Sequence, residues 1–108
     1  MIHPTLLLVD DEASILSSLT RALEGGYECL TARNTDAARA FFTNRDIACV
    51  ISDQRMPGES GAEFLSWVRK QSPDTSRILL TGYSDFDSLV GAVNEGGIHY
   101  FLPKPWEP

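Results

Sequence analysis

The chain has few cysteines, no cluster of basic residues and no long apolar run. Its two cysteines, Cys29 and Cys49, lack metal-ligand spacing and lie in apolar strand contexts, so we expect buried free thiols in a reducing cytoplasm. The net charge is −6 and Lys and Arg are nowhere concentrated, which argues against nucleic-acid binding by this domain. No apolar stretch reaches the roughly 18 residues of a membrane span, and the first four residues do not resemble a signal sequence. We therefore expect no membrane association.

The composition is that of an ordinary globular domain. The chain has 108 residues, of which 43% are hydrophobic and 22% are charged. Because single domains run from about 50 to 250 residues, we expect one domain over residues 1–108 with a substantial core.

Short apolar segments alternate with patterns of helical period along the whole chain. The predicted strands are Thr5–Val9, Tyr27–Ala32, Ile47–Ile51, Ile78–Thr81 and Ile98–Leu102. Four helices are predicted between the strands, each with an apolar face at helical spacing that we expect to be buried. These faces are Ile15, Leu16, Leu19 and Leu23 in the first helix; Ala37, Ala38, Phe41 and Phe42 in the second; Phe64, Leu65 and Val68 in the third; and Phe86, Leu89, Val90 and Val93 in the fourth. Asn34 or Thr35 can cap the second helix, and Ser60 with Glu63 has the spacing of a capping box for the third.

This alternation predicts an α/β fold with a parallel sheet between two layers of helices. The first, third and fourth strands are the most apolar and belong inside the sheet, whereas the second alternates and belongs at an edge. Pro103 places the fifth strand at the other edge, where a missing N–H is tolerated. The expected strand order is 2-1-3-4-5, the three-layer, doubly wound flavodoxin-like arrangement.

Polar side chains follow four of the predicted strands where each ends. Asp10 and Asp11 follow the first, Asp53 the third, Thr81 closes the fourth, and Lys104 follows the fifth. Parallel strands end at one edge of the sheet, so these groups should meet there. Crowded carboxylates repel one another unless a cation joins them, and hard oxygen ligands suit Mg²⁺. With a lysine and a hydroxyl beside it, one carboxylate could accept a phosphoryl group as a nucleophile.

The same segments resemble the receiver domains of two-component response regulators. The motifs are Leu6-Leu7-Leu8-Val9-Asp10-Asp11-Glu12, Asp53-x-x-Met56-Pro57-x-x-x-Gly61, Leu79-Leu80-Thr81-Gly82 and Phe101-Leu102-Pro103-Lys104-Pro105. They occur in the family's order and at its usual separations, over essentially the whole chain. A receiver is a signalling module that assists its own phosphorylation and dephosphorylation without being a turnover enzyme.

The resemblance implies a role for each site residue. Asp53 would accept phosphoryl from the phosphohistidine of a sensor kinase or phosphotransfer protein. Asp11, Asp53 and the backbone carbonyl of Arg55 would ligate Mg²⁺, with Mn²⁺ as an alternative, while Asp10 would act through a metal-bound water. Lys104 would pair with the phosphoryl group.

The resemblance also implies a switch. Thr81 would move toward the phosphoryl group and make room for an aromatic side chain, either Phe101 or, as the competing candidate, Tyr100. The surface of helix four and strand five would then change, and a partner or a second copy of the chain could bind there. The Lys104–Pro105 peptide would be cis, as in the family.

Several features depart from the family pattern or extend it. The chain stops at Pro108, so the family's fifth helix is expected to be missing, together with any output domain, and Pro103 is unusual before the lysine. The sequence around the motifs is similar to that of receivers fused to cyclic-dinucleotide phosphodiesterase or transcriptional output domains. Arg55 and Tyr83 stand two residues after Asp53 and Thr81, respectively. We hypothesise that these two residues, together with Gly82, flank the opening of the site, and that Arg55 and Tyr83 shield the acyl phosphate from water.

Three other functions remain open on sequence grounds. A phosphorylation-independent interaction domain would not need the intact set of acids, threonine and lysine. An aspartyl-phosphate phosphohydrolase would carry a second acid two residues after Asp53, where this chain has Arg55. A flavodoxin-like electron carrier would have a Ser/Thr/Gly phosphate loop in place of Asp10-Asp11-Glu12.

Overall fold

The computed structural model describes residues 3–81 and the backbone of residues 100–103. The elements are β1 (Thr5–Val9), α1 (Ala13–Leu23), β2 (Glu28–Ala32), α2 (Thr35–Phe41), β3 (Cys49–Asp53), α3 (Gly61–Gln71), β4 (Ser76–Thr81) and β5 (Tyr100–Pro103). The predicted fourth helix, the side chains of Tyr100 and Phe101, and Gly82, Tyr83, Lys104 and Pro105 lie outside the described residues.

The strands form one parallel sheet. Its order is β2-β1-β3-β4-β5, in which the backbone of β5 pairs with β4. The α/β class and the relative order of the first four strands agree with the prediction. Strand β2 is half exposed along one edge, whereas β1 and β3 are buried over four of their five residues. Burial on both faces explains why β1 is continuously apolar.

Two apolar clusters lie on opposite faces of the sheet. One combines residues of β1, β3 and β4 with α1, and consists of Leu6, Leu8, Leu16, Leu19, Ile51 and Leu80. The other combines alternate strand residues with α2 and α3, and includes Leu7, Val9, Ala38, Val50, Phe64, Leu65, Val68 and Leu79. Successive strand side chains point to opposite faces, so each central strand contributes to both layers. Among the described helices, none combines the length and the apolar character that a bilayer span requires.

Local signals place the starts of the second and third helices as expected. Asn34 caps α2, since its Oδ1 accepts a hydrogen bond from the Ala37 N–H at 2.8 Å. The Ser60–Glu63 capping box is complete: Ser60 Oγ accepts from the Glu63 N–H at 3.1 Å, and Glu63 Oε1 accepts from the Ser60 N–H at 3.2 Å.

The predicted bounds of four strands were wrong at their ends. β3 runs from Cys49 to Asp53 rather than over 47–51, and β4 begins at Ser76. β2 begins at Glu28, and β5 includes Pro103, one residue beyond its predicted end at Leu102, while its predicted start lies outside the described residues. The polar residues at these strand ends belong to the sheet because they pair with residues of a neighbouring strand, as Asp53 does with Leu80. Hydropathy alone does not reveal such pairing.

Two burial predictions need correction. Ala37 was expected on the inner face of α2 but is exposed, because the buried positions of that helix are Thr35 and Ala38. Cys29 and Cys49 are free thiols, but each is half-buried rather than buried. Cys29 lies on the edge strand and Cys49 begins β3, so each is covered incompletely. Burial nevertheless raises the pKa of Cys49 to about 11, which keeps this thiol protonated.

Gly61 offers a test of how closely α3 approaches β3. A Cβ at this position would lie 2.1 Å from the Asp53 carbonyl oxygen and 2.9 Å from Leu79 Cδ1. We expect Gly61→Ala to lower the free energy of unfolding by about 3 kcal/mol or more, because backbone must move to relieve the overlap. Gly26→Ala, whose added Cβ meets nothing within 4 Å, should change it by less than about 0.5 kcal/mol. Urea unfolding of both variants measures the difference, and similar midpoints would contradict this close approach.

Candidate phosphoryl-acceptor and metal site

The carboxyl ends of β1 and β3 bring three acids together. Val9 pairs with Ser52, so Asp10 and Asp53 follow side by side in adjacent strands. One carboxylate oxygen from each of Asp10, Asp11 and Asp53 lies within 4.8 Å of the other two. The structure thus brings together carboxylates that are 43 positions apart in the chain, as the strand order requires.

Burial makes this proximity electrostatically costly. Asp10 is 0% exposed and Asp53 is 4% exposed, while Asp11 is half-buried. At 4.8 Å and an effective dielectric constant near 20, two ionised carboxylates repel by about 3 kcal/mol. One oxygen of Asp10 is already oriented, since Oδ1 accepts a hydrogen bond from the Glu12 N–H at 2.9 Å. A cation bound among these oxygens would offset the repulsion.

The oxygen donors fit a hard divalent ion. Mg²⁺ is held by one or two carboxylates together with water and phosphate oxygens, and the three acids supply ligands of that kind at one opening of the sheet. The cluster of Asp10, Asp11 and Asp53 could therefore hold a magnesium ion.

Thr81 lies at the end of the neighbouring strand. Asp53 pairs with Leu80, and the Gln54 N–H donates to the Leu80 carbonyl at 3.0 Å, so Thr81 follows directly alongside. Its side chain is buried, with 2% exposure. On the other side, Thr81 pairs with Pro103, and Lys104 is the next residue in the chain. The described backbone thus leads all four predicted site segments toward one edge, whereas Gly82, Tyr83 and Lys104 themselves lie outside the described residues.

The β3–α3 loop, residues 54–60, folds back against the strand that it leaves. The Gly61 N–H donates to the Gln54 carbonyl at 3.0 Å, and Gln54 Oε1 accepts from the Ala62 N–H at 2.9 Å. Gly58 adopts φ +87°, a left-handed conformation that glycine tolerates readily. Arg55, whose carbonyl is a candidate metal ligand, lies within this loop and is exposed.

Two arginines make contacts near the site that were not predicted from the sequence. Arg33, which follows β2, donates from Nη2 to the Asp11 carbonyl oxygen at 3.0 Å. Arg39 on α2 contacts Glu59 of the β3–α3 loop, with 2.6 Å between Nη2 and Oε2. Their partners lie 22 and 20 residues away, and no local spacing in the sequence signals either contact.

The family comparison covers nearly the whole chain. The sequence model of the family described as "Response regulator receiver domain" matches residues 6–108. The hydrogenase transcriptional regulatory protein HoxA of Cupriavidus necator is 40% identical over 104 residues, which is 96% of this chain and 22% of that protein. The chain therefore spans about a fifth of the length of this curated relative.

Solved structures share the fold at similar sequence identity. The signal receiver domain of an HD domain-containing protein from Pseudomonas fluorescens Pf-5 superimposes with a TM-score of 0.90 at 37% identity, covering 97% of this chain and 85% of that one. A response regulator receiver domain protein from Clostridium thermocellum has a TM-score of 0.85 at 36% identity, covering 96% and 84% of the two chains.

The acidic cluster predicts a specific response to magnesium. At a free Mg²⁺ concentration ten times the Kd, binding should add about 1.4 kcal/mol to the free energy of unfolding. Asp11→Asn should abolish this gain and raise the unfolding midpoint in the absence of Mg²⁺, because it removes a repulsive charge. Asp74→Asn, which changes an exposed acid in the α3–β4 connection, should respond to Mg²⁺ as the unchanged protein does. An equal magnesium response in Asp11→Asn would show that the ion binds elsewhere.

Proposed function

Because the chain belongs to the family of response regulator receiver domains, we propose that it accepts phosphoryl in a two-component phosphorelay, with Asp53 as the acceptor. The observation that carries this proposal is the clustering of a nearly buried Asp53 with Asp10 and Asp11 at the carboxyl edge of the sheet. The fold alone would not support it, since unrelated functions share folds.

The proposed reaction is a transfer between two nucleophiles. A carboxylate oxygen of Asp53 attacks the phosphorus of a partner's phosphohistidine, the P–N bond breaks, and the leaving imidazole takes up a proton. Asp53 is left as an acyl phosphate. Asp11, Asp53 and the Arg55 carbonyl would hold Mg²⁺ or Mn²⁺, with Asp10 acting largely through a water, and this charge offsets the negative charge of the arriving phosphoryl group.

Thr81 and Lys104 would detect the new group. Phosphorylation adds close to two negative charges and three acceptor oxygens, which a hydroxyl and an ammonium can bind. Two observations support this role: Thr81 ends β4 next to Asp53, and Thr81 pairs with Pro103, the residue that precedes Lys104 in the chain.

The response would pass from β4 to β5. Movement of Thr81 toward the phosphoryl group opens space for Phe101, with Tyr100 as the alternative, and so changes the surface of the predicted fourth helix and β5. In this proposal that surface regulates an output domain or a separate partner, or joins two copies of the chain. The domain acts in the cytoplasm as a signalling module and is not a turnover enzyme, and Arg55 with Tyr83 slows hydrolysis of the acyl phosphate.

Phosphorylation of the isolated domain tests the proposal directly. Incubation with Mg²⁺ and a small acyl-phosphate donor should add one phosphoryl group per chain, detected by intact-mass spectrometry. Asp53→Asn should abolish the addition, because the amide is not a comparable nucleophile, and a chelator should suppress it in the unchanged protein. Asp74→Asn serves as the control and should be modified normally. Modification of Asp53→Asn to the same extent would rule out Asp53 as the acceptor.

The identity of the switch aromatic can be tested separately. Phe101→Ala should remove the phosphorylation-dependent change in amide NMR shifts over residues 84–103, because the side chain that fills the space beside Thr81 is gone. Tyr100→Ala should retain that change, and both variants should be phosphorylated to the same extent. The reverse pattern would assign the switch to Tyr100.

A further inference from the structure

An ion pair ties α2 to the loop that follows Asp53. Arg39 Nη2 lies 2.6 Å from Glu59 Oε2, and the two side chains are only 28% and 25% exposed. The hydrogen bond from Arg39 lowers the pKa of Glu59, and the same bond raises the pKa of Arg39. Both groups are therefore charged across the neutral range.

The arginine is held on an aromatic platform. Its guanidinium carbon lies 5.0 Å from the ring centroid of Trp67 and 5.5 Å from that of Phe64, both on α3. Phe64 and Trp67 are stacked with centroids 5.9 Å apart, and Phe42 meets Trp67 edge to face at 5.4 Å. Cation–π contacts of this kind fix the plane of the guanidinium, so Arg39 presents its N–H groups to Glu59 from a defined position.

Glu59 lies in the β3–α3 loop between two other points of attachment, Gln54 and Ser60. Gln54 anchors the beginning of the loop to β4 and α3 through its N–H, carbonyl and side chain. Ser60 anchors the end through the capping box. Glu59 adds a third attachment from α2, immediately after Gly58, at which the chain takes its left-handed turn. The intervening segment contains Arg55.

We infer that Arg39 and Glu59 are a positioning pair for the acidic site, and that their contact holds the β3–α3 loop in the conformation that metal binding requires. The inference rests on the proposed function, in which the Arg55 carbonyl ligates the metal. Neither residue is a metal ligand or contacts the phosphoryl group in this scheme. They act through the loop backbone, as outer residues that orient the ligands of a metal site commonly do.

A second ion pair provides a matched control. Arg45 contacts Glu28, and this pair joins the α2–β3 connection to the first residue of β2, which pairs with Thr5 at the amino end of the sheet. The acids lie at the carboxyl end. Loss of the Arg45–Glu28 pair should therefore affect the fold but not the acidic site.

Magnesium titration of the variants measures the positioning effect. Arg39→Ala should raise the Mg²⁺ Kd about tenfold, the lower end of the range for outer residues of metal sites. Glu59→Gln, which keeps the shape of the side chain but removes its charge, should raise the Kd in the same direction. Because the two residues act through each other, combining Arg39→Ala with Glu59→Gln should raise the Kd little beyond Arg39→Ala alone. Arg45→Ala should leave the Kd within about twofold of the unchanged protein.

Hydrogen exchange without metal separates this inference from the proposed function. If the pair holds the loop, the Gly61 and Ala62 amides, which donate to Gln54, should exchange faster in Arg39→Ala, while the Ala48 amide, bonded to Thr5, should not. If the protein without substitutions binds no Mg²⁺, the proposed function is wrong. The exchange rates would then decide whether the Arg39–Glu59 pair holds the loop. An unchanged Kd in folded Arg39→Ala, or an equal rise in Arg45→Ala, would overturn the positioning role.

Discussion

The close approach of three carboxylates at the carboxyl edge of the sheet is the constraint that the rest of this structure must accommodate. Asp10 and Asp53 are almost completely buried, and each has an oxygen within 4.8 Å of its neighbours. A sheet optimised only for stability would have no reason to place acids at that spacing, because each ionised pair opposes folding. A divalent cation could offset the repulsion between these carboxylates, and the three acids supply oxygen ligands that could hold one.

The surrounding fold keeps this arrangement in place on several sides. β1 and β3 are interior strands that pair with a neighbour on each side, and the acids lie at their carboxyl ends. The start of α3 packs against the Asp53 carbonyl at Gly61, where a larger residue would overlap with the backbone. Arg33 binds the Asp11 carbonyl from the other side. The site is thus supported by backbone contacts as well as by the acidic side chains themselves.

Family membership and site chemistry answer different questions. The match over residues 6–108 shows which family the chain belongs to, and the solved relatives share its fold. HoxA is several times longer than this chain, so its complete activity does not transfer to this domain. The geometry adds a contact between particular residues: Arg39 of α2, on a Trp67–Phe64 platform, contacts Glu59 in the loop that follows Asp53.

The sequence by itself determined the fold class, the relative order of β2, β1, β3 and β4, and the meeting of Asp10, Asp11 and Asp53. These follow from patterns of short range: apolar runs identify the strands, and polar residues at their ends must gather where parallel strands end. The caps at Asn34 and Ser60 are local in the same sense, since donor and acceptor lie three residues apart. Only the tertiary structure decided the ends of the strands, the exposure of Ala37 and of the two thiols, and the contacts of Arg33 and Arg39. Those depend on which residues of other elements pack alongside, and a contact across 20 or more positions leaves no periodic signal in the chain.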